Sequence, residues 1–407
     1  RNTNTINYDF KSLFKTKDHS LNMLLGHEYI ITKEHENINQ VVGFPKTYDA
    51  ATAWRLSSQG TASATSDFYY PDDKLLSFFT RANYSYKDKY LASATFRADA
   101  SSKFSKGNRW GYFPSAALAW RITSEKFMNG TRKWLDDLKL RFSLGTAGNN
   151  NIASGQLIQE YMPYEATAPQ RTWVNGFTNP LRPSNYMANP DLKWETTITR
   201  NIGLDWTLFN GKLNGSFEFY KNTTKDLLIA FPVSGTGYEY QYRNLGKTQN
   251  VGFETTFTWH VINKKNWGID LSGNINFNKN KIKQLGINDF YQETRWASSE
   301  IDPEYIVAVG GHVGEIIGYQ NAGRYEVSDF KGYDASTEKW ILKDGVDDAS
   351  AIVGKLRPGS LKLKDLDGDH KITPNDKTKI GDVTPTCFGG FNINVRAYNF
   401  DLGAQFN

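Results

Sequence analysis

The chain has almost no cysteine. Cys387 stands alone among 407 residues, so neither an internal disulfide nor a cysteine-based metal site can form, and the bridged scaffold usual in large secreted eukaryotic proteins is excluded. Long apolar runs are missing too. None approaches the roughly 18 residues that a spanning helix requires, and a mean hydropathy of −0.58 excludes a helical membrane protein. An excess of one charge is also absent. Forty-eight Lys and Arg against 43 Asp and Glu leave a formal +5, scattered rather than clustered, which gives no electrostatic footprint for nucleic acid. The histidines, His19, His27, His35, His260, His312 and His370, show no zinc spacing. There is no G-x-S-x-G nucleophile elbow, and Gly310-Gly311-His312-Val313-Gly314-Glu315 lacks the Lys-Ser/Thr of a phosphate loop. Asp136-Asp137 and Asp347-Asp348 read as turn and loop residues. No catalytic set emerges, and the chain is not expected to be an enzyme.

What is present is a period of two. Val251, Phe253, Phe257, Trp259 and Val261 fall on one face of a segment whose other face carries Glu254, Thr256, Thr258 and His260. After the turn 263–266, Trp267, Ile269, Leu271, Ile275 and Phe277 oppose Asp270, Ser272, Asn274, Asn276 and Asn278. Successive strand side chains point to opposite sides, so one wall of this hairpin is apolar and the other polar. Six such pairs are expected: 3–12 with 19–29, 75–86 with 90–99, 111–122 with 138–146, 197–208 with 212–222, 250–261 with 266–278, and 388–397 with 400–407. Strands of roughly 10–12 residues exceed the soluble mode of about 5–6 and match the roughly 9–11 tilted residues that cross a bilayer. Links inside pairs are short, as at Lys87-Asp88-Lys89, Asn210-Gly211 and Tyr398-Asn399, whereas 30–74, 147–196 and 279–387 are long. That asymmetry predicts an all-β fold, a transmembrane antiparallel β-barrel of about twelve strands with long extracellular loops. A soluble glycan-binding or hydrolase β protein also alternates, and a passive porin or adhesin barrel would share the membrane behaviour. Arg81, Arg97, Arg141, Glu254 and Asn276 are expected on the inward, hydrated face. The chain opens and stops inside strands, and a barrel must close to leave no edge in lipid, so a fragment is expected.

The run Leu76-Ser77-Phe78-Phe79-Thr80-Arg81-Ala82-Asn83-Tyr84-Ser85-Tyr86-Lys87-Asp88-Lys89-Tyr90-Leu91 resembles a signature of the SusC/RagA family of TonB-dependent outer-membrane transporters. Similar matches follow in the family's order: residues 95–104, Arg109-Trp110-Gly111-Tyr112-Phe113-Pro114-Ser115, residues 138–143 with Gly145 and Gly148-Asn149, and Asn189-Pro190-Asp191-Leu192-Lys193-Trp194-Glu195. Residues 201–205, 225–228 and 358–362 complete the set. The resemblance implies a 22-stranded barrel in the outer membrane of a Gram-negative bacterium, plugged by an N-terminal domain. It also implies import of a large glycan or peptide, energised by the TonB complex. A SusD-like surface lipoprotein is expected as a lid, and two transporter–lid pairs as an assembly. Residues 1–407 would then be a partial barrel domain without plug, TonB-contacting segment or final strands, and 279–387 its long extracellular loop region.

Within that region lies Asp365-Leu366-Asp367-Gly368-Asp369-His370-Lys371-Ile372-Thr373-Pro374-Asn375-Asp376. Acidic side chains at loop positions 1, 3, 5 and 12 and a carbonyl at 7 converge hard oxygen ligands as a calcium loop does. Asp365, Asp367, Asp369, the Lys371 carbonyl and Asp376 are the expected ligands of a structural Ca2+, and no organic cofactor is expected. His370 stands where such loops usually carry glycine, and Gly368 offers some backbone freedom. The alternative is a solvated acidic turn held by Asx hydrogen bonds. Loop aromatics, among them Trp54, Trp173, Tyr186, Tyr238, Tyr240 and Trp296, can stack on sugar rings or apolar side chains and are candidate ligand or lid contacts.

Overall fold

The computed structural model describes residues 1–407 apart from 11–13, 15, 17, 70–71, 153–171, 175–176, 180–185, 234, 237, 239, 287–289 and 294–304. It has two units, Arg1–Asn278 with Phe388–Asn407, and Lys279–Cys387.

A period-two alternation that persists along the chain can satisfy its backbone only by pairing neighbour with neighbour. The first unit does this in a twelve-stranded sheet whose spatial order is the chain order. Its strands are β1 (Asn2–Asp9), β2 (His19–Thr32), β3 (Asp73–Tyr86), β4 (Tyr90–Ser101), β5 (Trp110–Arg121) and β6 (Leu135–Asn149), followed by β7 (Glu195–Leu208), β8 (Leu213–Lys225), β9 (Lys247–Asn263), β10 (Trp267–Gln284), β11 (Cys387–Ala397) and β12 (Phe400–Phe406). All twelve strands expected from the alternation are present, and β6, β8 and β10 run past their expected ends at 146, 222 and 278. The extensions are mostly polar, with Ile282 buried, and a ladder continues beyond the lipid wherever its backbone is still paired.

Register fixes which side chains share a face. Phe142 pairs with Ile202, Ile202 with Phe219, and Phe219 with Phe253. These four remain 39–50 % exposed although wholly apolar, as expected of a face whose partner is lipid. Shifted by one residue, Ser143 pairs with Asn201, Arg141 with Gly203, and Glu218 with Glu254. One slip in register would exchange these faces, so the pattern specifies the pairing strongly. At one end the links are short, at 87–89, 209–212, 264–266 and 398–399, with a longer one at 122–134. At the other end lie 33–72, 150–194 and 226–246. On that side Phe104, Phe113, Ile152, Leu192 and Trp194 form a buried cluster, joined by Leu75, Leu228 and Tyr242.

The second unit has its own core of Tyr325, Phe330, Ala349, Leu356, Leu363 and Ile372. Tyr325 is fully buried. Its hydroxyl donates to the Asp347 carbonyl (2.5 Å) and accepts from the Ala349 N–H (3.1 Å), so its polar tip is satisfied. The unit also holds short strands, including a sheet of Phe290–Glu293, Tyr305–Ala308, Glu315–Gly318 and Thr378–Asp382 and the hairpin of Phe330–Asp334 with Lys339–Leu342. At the tip of this hairpin the Asp334 carboxylate accepts from the Ser336 hydroxyl (2.7 Å) and N–H (2.9 Å) and the Thr337 hydroxyl (2.8 Å). The Ser336 and Thr337 hydroxyls and then the Ser336 N–H hold its pKa down to about 2, from 3.8. A depressed folded value contributes stability that is complete above the unfolded value and lost as pH falls through the folded one. Acid unfolding of the native protein should therefore show a loss between about pH 4 and 2 that Asp334→Asn lacks. Superimposable pH profiles would refute the role of this turn.

Candidate functional site

The polar face of the sheet is charged in two patches. In the first, Glu28 on β2 is buried and accepts from Arg1 Nε (2.7 Å), Thr3 Oγ1 (3.0 Å) and Arg97 Nη2 (3.4 Å). Arg97 also donates through Nε to both oxygens of Asp99 (2.8 and 2.9 Å) and through Nη2 to buried Ser77 (2.9 Å). The Arg97 guanidinium and the Glu28 carboxylate, with Thr3 and Ser77, tie β1 to β4 together, and Arg1 adds a second guanidinium to Glu28. In the second patch, Arg141 forks onto Asp205 (2.9 and 2.7 Å) and donates to Glu218 (2.8 Å). Lys139 adds a second cation to Asp205 (2.9 Å), and Asn201 donates to Glu218 (3.0 Å). Gly203, opposite Arg141, makes room: a Cβ there would lie 2.8 Å from the guanidinium. Planar forks of this kind are stronger and more directional than neutral hydrogen bonds.

Of the residues expected on this wall, Arg97 and Arg141 are the hubs. Glu254 accepts from the Asn276 side chain, and Arg81 donates to Asn83 Oδ1 (3.1 Å). The reading of single strands missed Glu28, Asp99, Lys139, Asp205 and Glu218. Strand parity alone places each of them inward, but their convergence depends on register between strands. Among the described residues the wall offers neutralised charge and hydrogen-bonding groups rather than an aligned nucleophile and base.

In the second unit the acidic loop is already folded around its first carboxylate. Asp365 accepts from the N–H groups of Gly368 (2.7 Å), His370 (2.8 Å) and Asp367 (3.1 Å). The first of these bonds contributes most to holding its pKa below the ordinary carboxylate range. Oxygens of Asp365, Asp367 and Asp369 lie within 4.8 Å of one another. The Asp369 N–H lowers the Asp367 pKa, but burial and the charges of Asp369, Asp376 and Asp365 outweigh it and leave the carboxyl raised. His370, at the position usually held by glycine, adopts φ +60 itself, and Gly368 adopts +81. The His370 ring, bonded to Asp347 Oδ1 (2.8 Å), is held protonated to higher pH than usual by that bond. Asp376 is not one of the three carboxylates grouped within 4.8 Å, but it lies close enough for its charge to act on Asp367. It is fully buried and accepts from the N–H groups of Leu366 and Thr373 (both 2.8 Å), closing the turn Pro374–Asp376. The donor set fits a divalent cation with hard oxygen preference.

The aromatic candidates are dispersed. Trp54 is 85 % exposed on the short helix Ala50–Arg55. Tyr238 is half-buried and Tyr240 exposed. Tyr186 and Tyr240 are register partners on adjacent parallel strands. Trp173 lies on Thr172–Val174; its side chain and that of Tyr186 are outside the described residues, as is Trp296 entirely.

Comparison with known proteins supplies the context for this sheet. Residues 1–351 match the family model "TonB dependent receptor-like, beta-barrel". The chain is 29 % identical to TonB-dependent receptor P3 of Formosa agariphila over 99 % of its own length and 38 % of that relative. It is 38 % identical to TonB-dependent receptor SusC of Bacteroides thetaiotaomicron over 55 % of the chain and 23 % of that relative. The solved RagAB peptide transporter superposes with a TM-score of 0.73 at 25 % identity, covering 99 % of this chain and 40 % of that one. The chain thus spans about two fifths of the length of P3 and of the RagAB chain. The family match and the twelve-stranded sheet with its lipid-facing wall place it in the outer membrane of a Gram-negative bacterium, and the chain belongs to the TonB-dependent receptor β-barrel family, in its SusC/RagA branch.

Proposed function

We propose that the protein imports a large nutrient, an oligosaccharide or oligopeptide, across the outer membrane, energised through the TonB complex and lidded by a SusD-like surface lipoprotein. The observation that carries this reading is the inward wall. The charges of its two patches are paired on the sheet, as at Arg97 with Glu28 and Asp99 and Arg141 with Asp205 and Glu218, and Arg81 and Glu254 bond to amides, so the wall is hydrogen-bonding with charges of both signs. Such a wall suits a removable plug and a bulky polar cargo. The exposed loop aromatics Trp54 and Tyr240 offer stacking surfaces for either cargo class. Purification of the full-length protein from membranes in mild detergent, with mass spectrometry of what accompanies it, tests the proposal. A stoichiometric surface lipoprotein is expected. A lone barrel would favour a passive channel, and a protein that stays soluble without detergent would overturn the membrane assignment.

Calcium at Asp365, Asp367, Asp369 and the Lys371 carbonyl belongs to the same proposal, in a structural role. Three carboxylates at alternate positions repel one another, and a divalent ion converts that repulsion into a cross-link. Calcium titration of the chelator-treated native protein should raise the unfolding temperature, and Asp365→Asn should abolish the response. An unfolding temperature indifferent to calcium in the unsubstituted protein would leave this loop a plain Asx turn.

A further inference from the structure

Along the lipid-facing side of β7 and β8, alternate residues run Leu208, Trp206, Leu204, Ile202 and Leu213, Gly215, Phe217, Phe219. The character then changes. The next outward positions are Arg200 and Lys221, which lie directly opposite one another in register. Four residues further along β8, Lys225 lies opposite Lys247 of β9 on the same side. All four cations are exposed, and among the described residues none is paired with a carboxylate. This contrasts with the inward wall, where Lys139, Arg97 and Arg141 all have acidic partners. Like charges directly opposite on a sheet are destabilising, so two such pairs in succession call for anions supplied from outside the chain. Arg200 and Lys221 also line an open groove of about 530 Å3, together with Leu118, Phe142, Ile202 and Phe219.

We propose that this groove binds one phosphate-bearing membrane lipid, with an acyl chain along Leu118, Phe142 and Ile202 and a phosphate between Arg200 and Lys221. Apolar floor and cationic head match the two halves of such a molecule, and the surrounding lipid-facing residues leave a membrane lipid as the occupant in contact with them. Lys225 and Lys247 lie about 13 Å further along the ladder at roughly 3.3 Å per residue, which suits a lipid carrying two phosphates. Long basic side chains at the edge of an apolar band reach the headgroup level in any case. The groove and the paired register are what make this a site for one molecule rather than a diffuse attraction. The inference rests on the outer-membrane placement of the barrel.

The test uses the full-length protein and Arg200→Gln/Lys221→Gln, both taken from outer membranes in mild detergent, delipidated and offered diphosphoryl lipid A, monophosphoryl lipid A or phosphatidylcholine before native mass spectrometry. Unsubstituted protein should retain the diphosphoryl lipid best. The double variant should bind it roughly thirty-fold more weakly, from about five-fold for each charge near the surface. Equal retention by the variant, or equal retention of the zwitterionic lipid, would overturn the site. Displacement of the adduct by inorganic phosphate would overturn it too, assigning the cations to a free anion. Heat-modifiable migration of both proteins shows that the barrel has formed; its absence would count against the membrane assignment and not against the groove.

Discussion

Trp194→Ala will lower the unfolding free energy of the barrel by about 3–5 kcal/mol, the range for removing a buried indole. Trp194 is 8 % exposed, its ring centroid lies 5.5 Å from Phe104 and 5.4 Å from Phe113, and its Nε1 donates to the Arg109 carbonyl (2.8 Å). Alanine leaves a void and removes one of the two donors to the Arg109 carbonyl, which keeps the Ser101 N–H (3.0 Å), so the cost comes mainly from the void. Gly148→Val should act at the same place by the opposite mechanism. A Cβ there falls on the Phe113 ring, so the ring must leave its contact with Trp194. Trp54→Ala is the control, since that indole is 85 % exposed. Thermal unfolding of the three variants in one detergent decides the matter. Trp194→Ala unfolding at the same temperature as Trp54→Ala would show that the cluster does not tie the loops to the strands.

This cluster also explains what the sequence displayed. The stretches Arg109–Ser115, Gly145–Asn149 and Asn189–Glu195, which carry much of the family resemblance, are far apart in the chain yet meet around Phe113 and Trp194, with Leu228 beside them. Much of that resemblance is packing at the base of the long connections. The strands themselves were legible because a sheet exposed to lipid on one side and water on the other forces a strict period of two. The unit at 279–387 was not. Its strands run three to five residues, too short for a period to register, and its buried Tyr325, Leu356 and Ile372 are brought together by turns. The acidic loop could be found from its spacing, but the burial of Asp376 depends on the fold of the whole unit. The charge networks of the inward wall had the right residue types at the right parity. Their partners are set by register, which no single strand contains.

The division of the two faces has a large and directional consequence. Leu204 lies on the lipid side, opposite Leu140 and Phe217, between Trp206 and the cationic position Arg200. Leu204→Arg should destabilise the inserted barrel by about 2–4 kcal/mol, the range for a cation near the bilayer midplane, because the charge must lose its hydration or distort the lipid. Ser143→Arg places the same side chain on the opposite face, where Ser143 pairs with Asn201 beside Glu218; water and a nearby carboxylate should hold its effect below about 1 kcal/mol. Arg200 itself marks where the cost disappears, since the penalty falls to about 0–1 kcal/mol at the interface. Unfolding titrations of the full-length variants in lipid vesicles would measure both. Equal effects at the two positions would mean that the faces are not divided between lipid and water, and the polar wall would then have to be sought on the other side of the sheet.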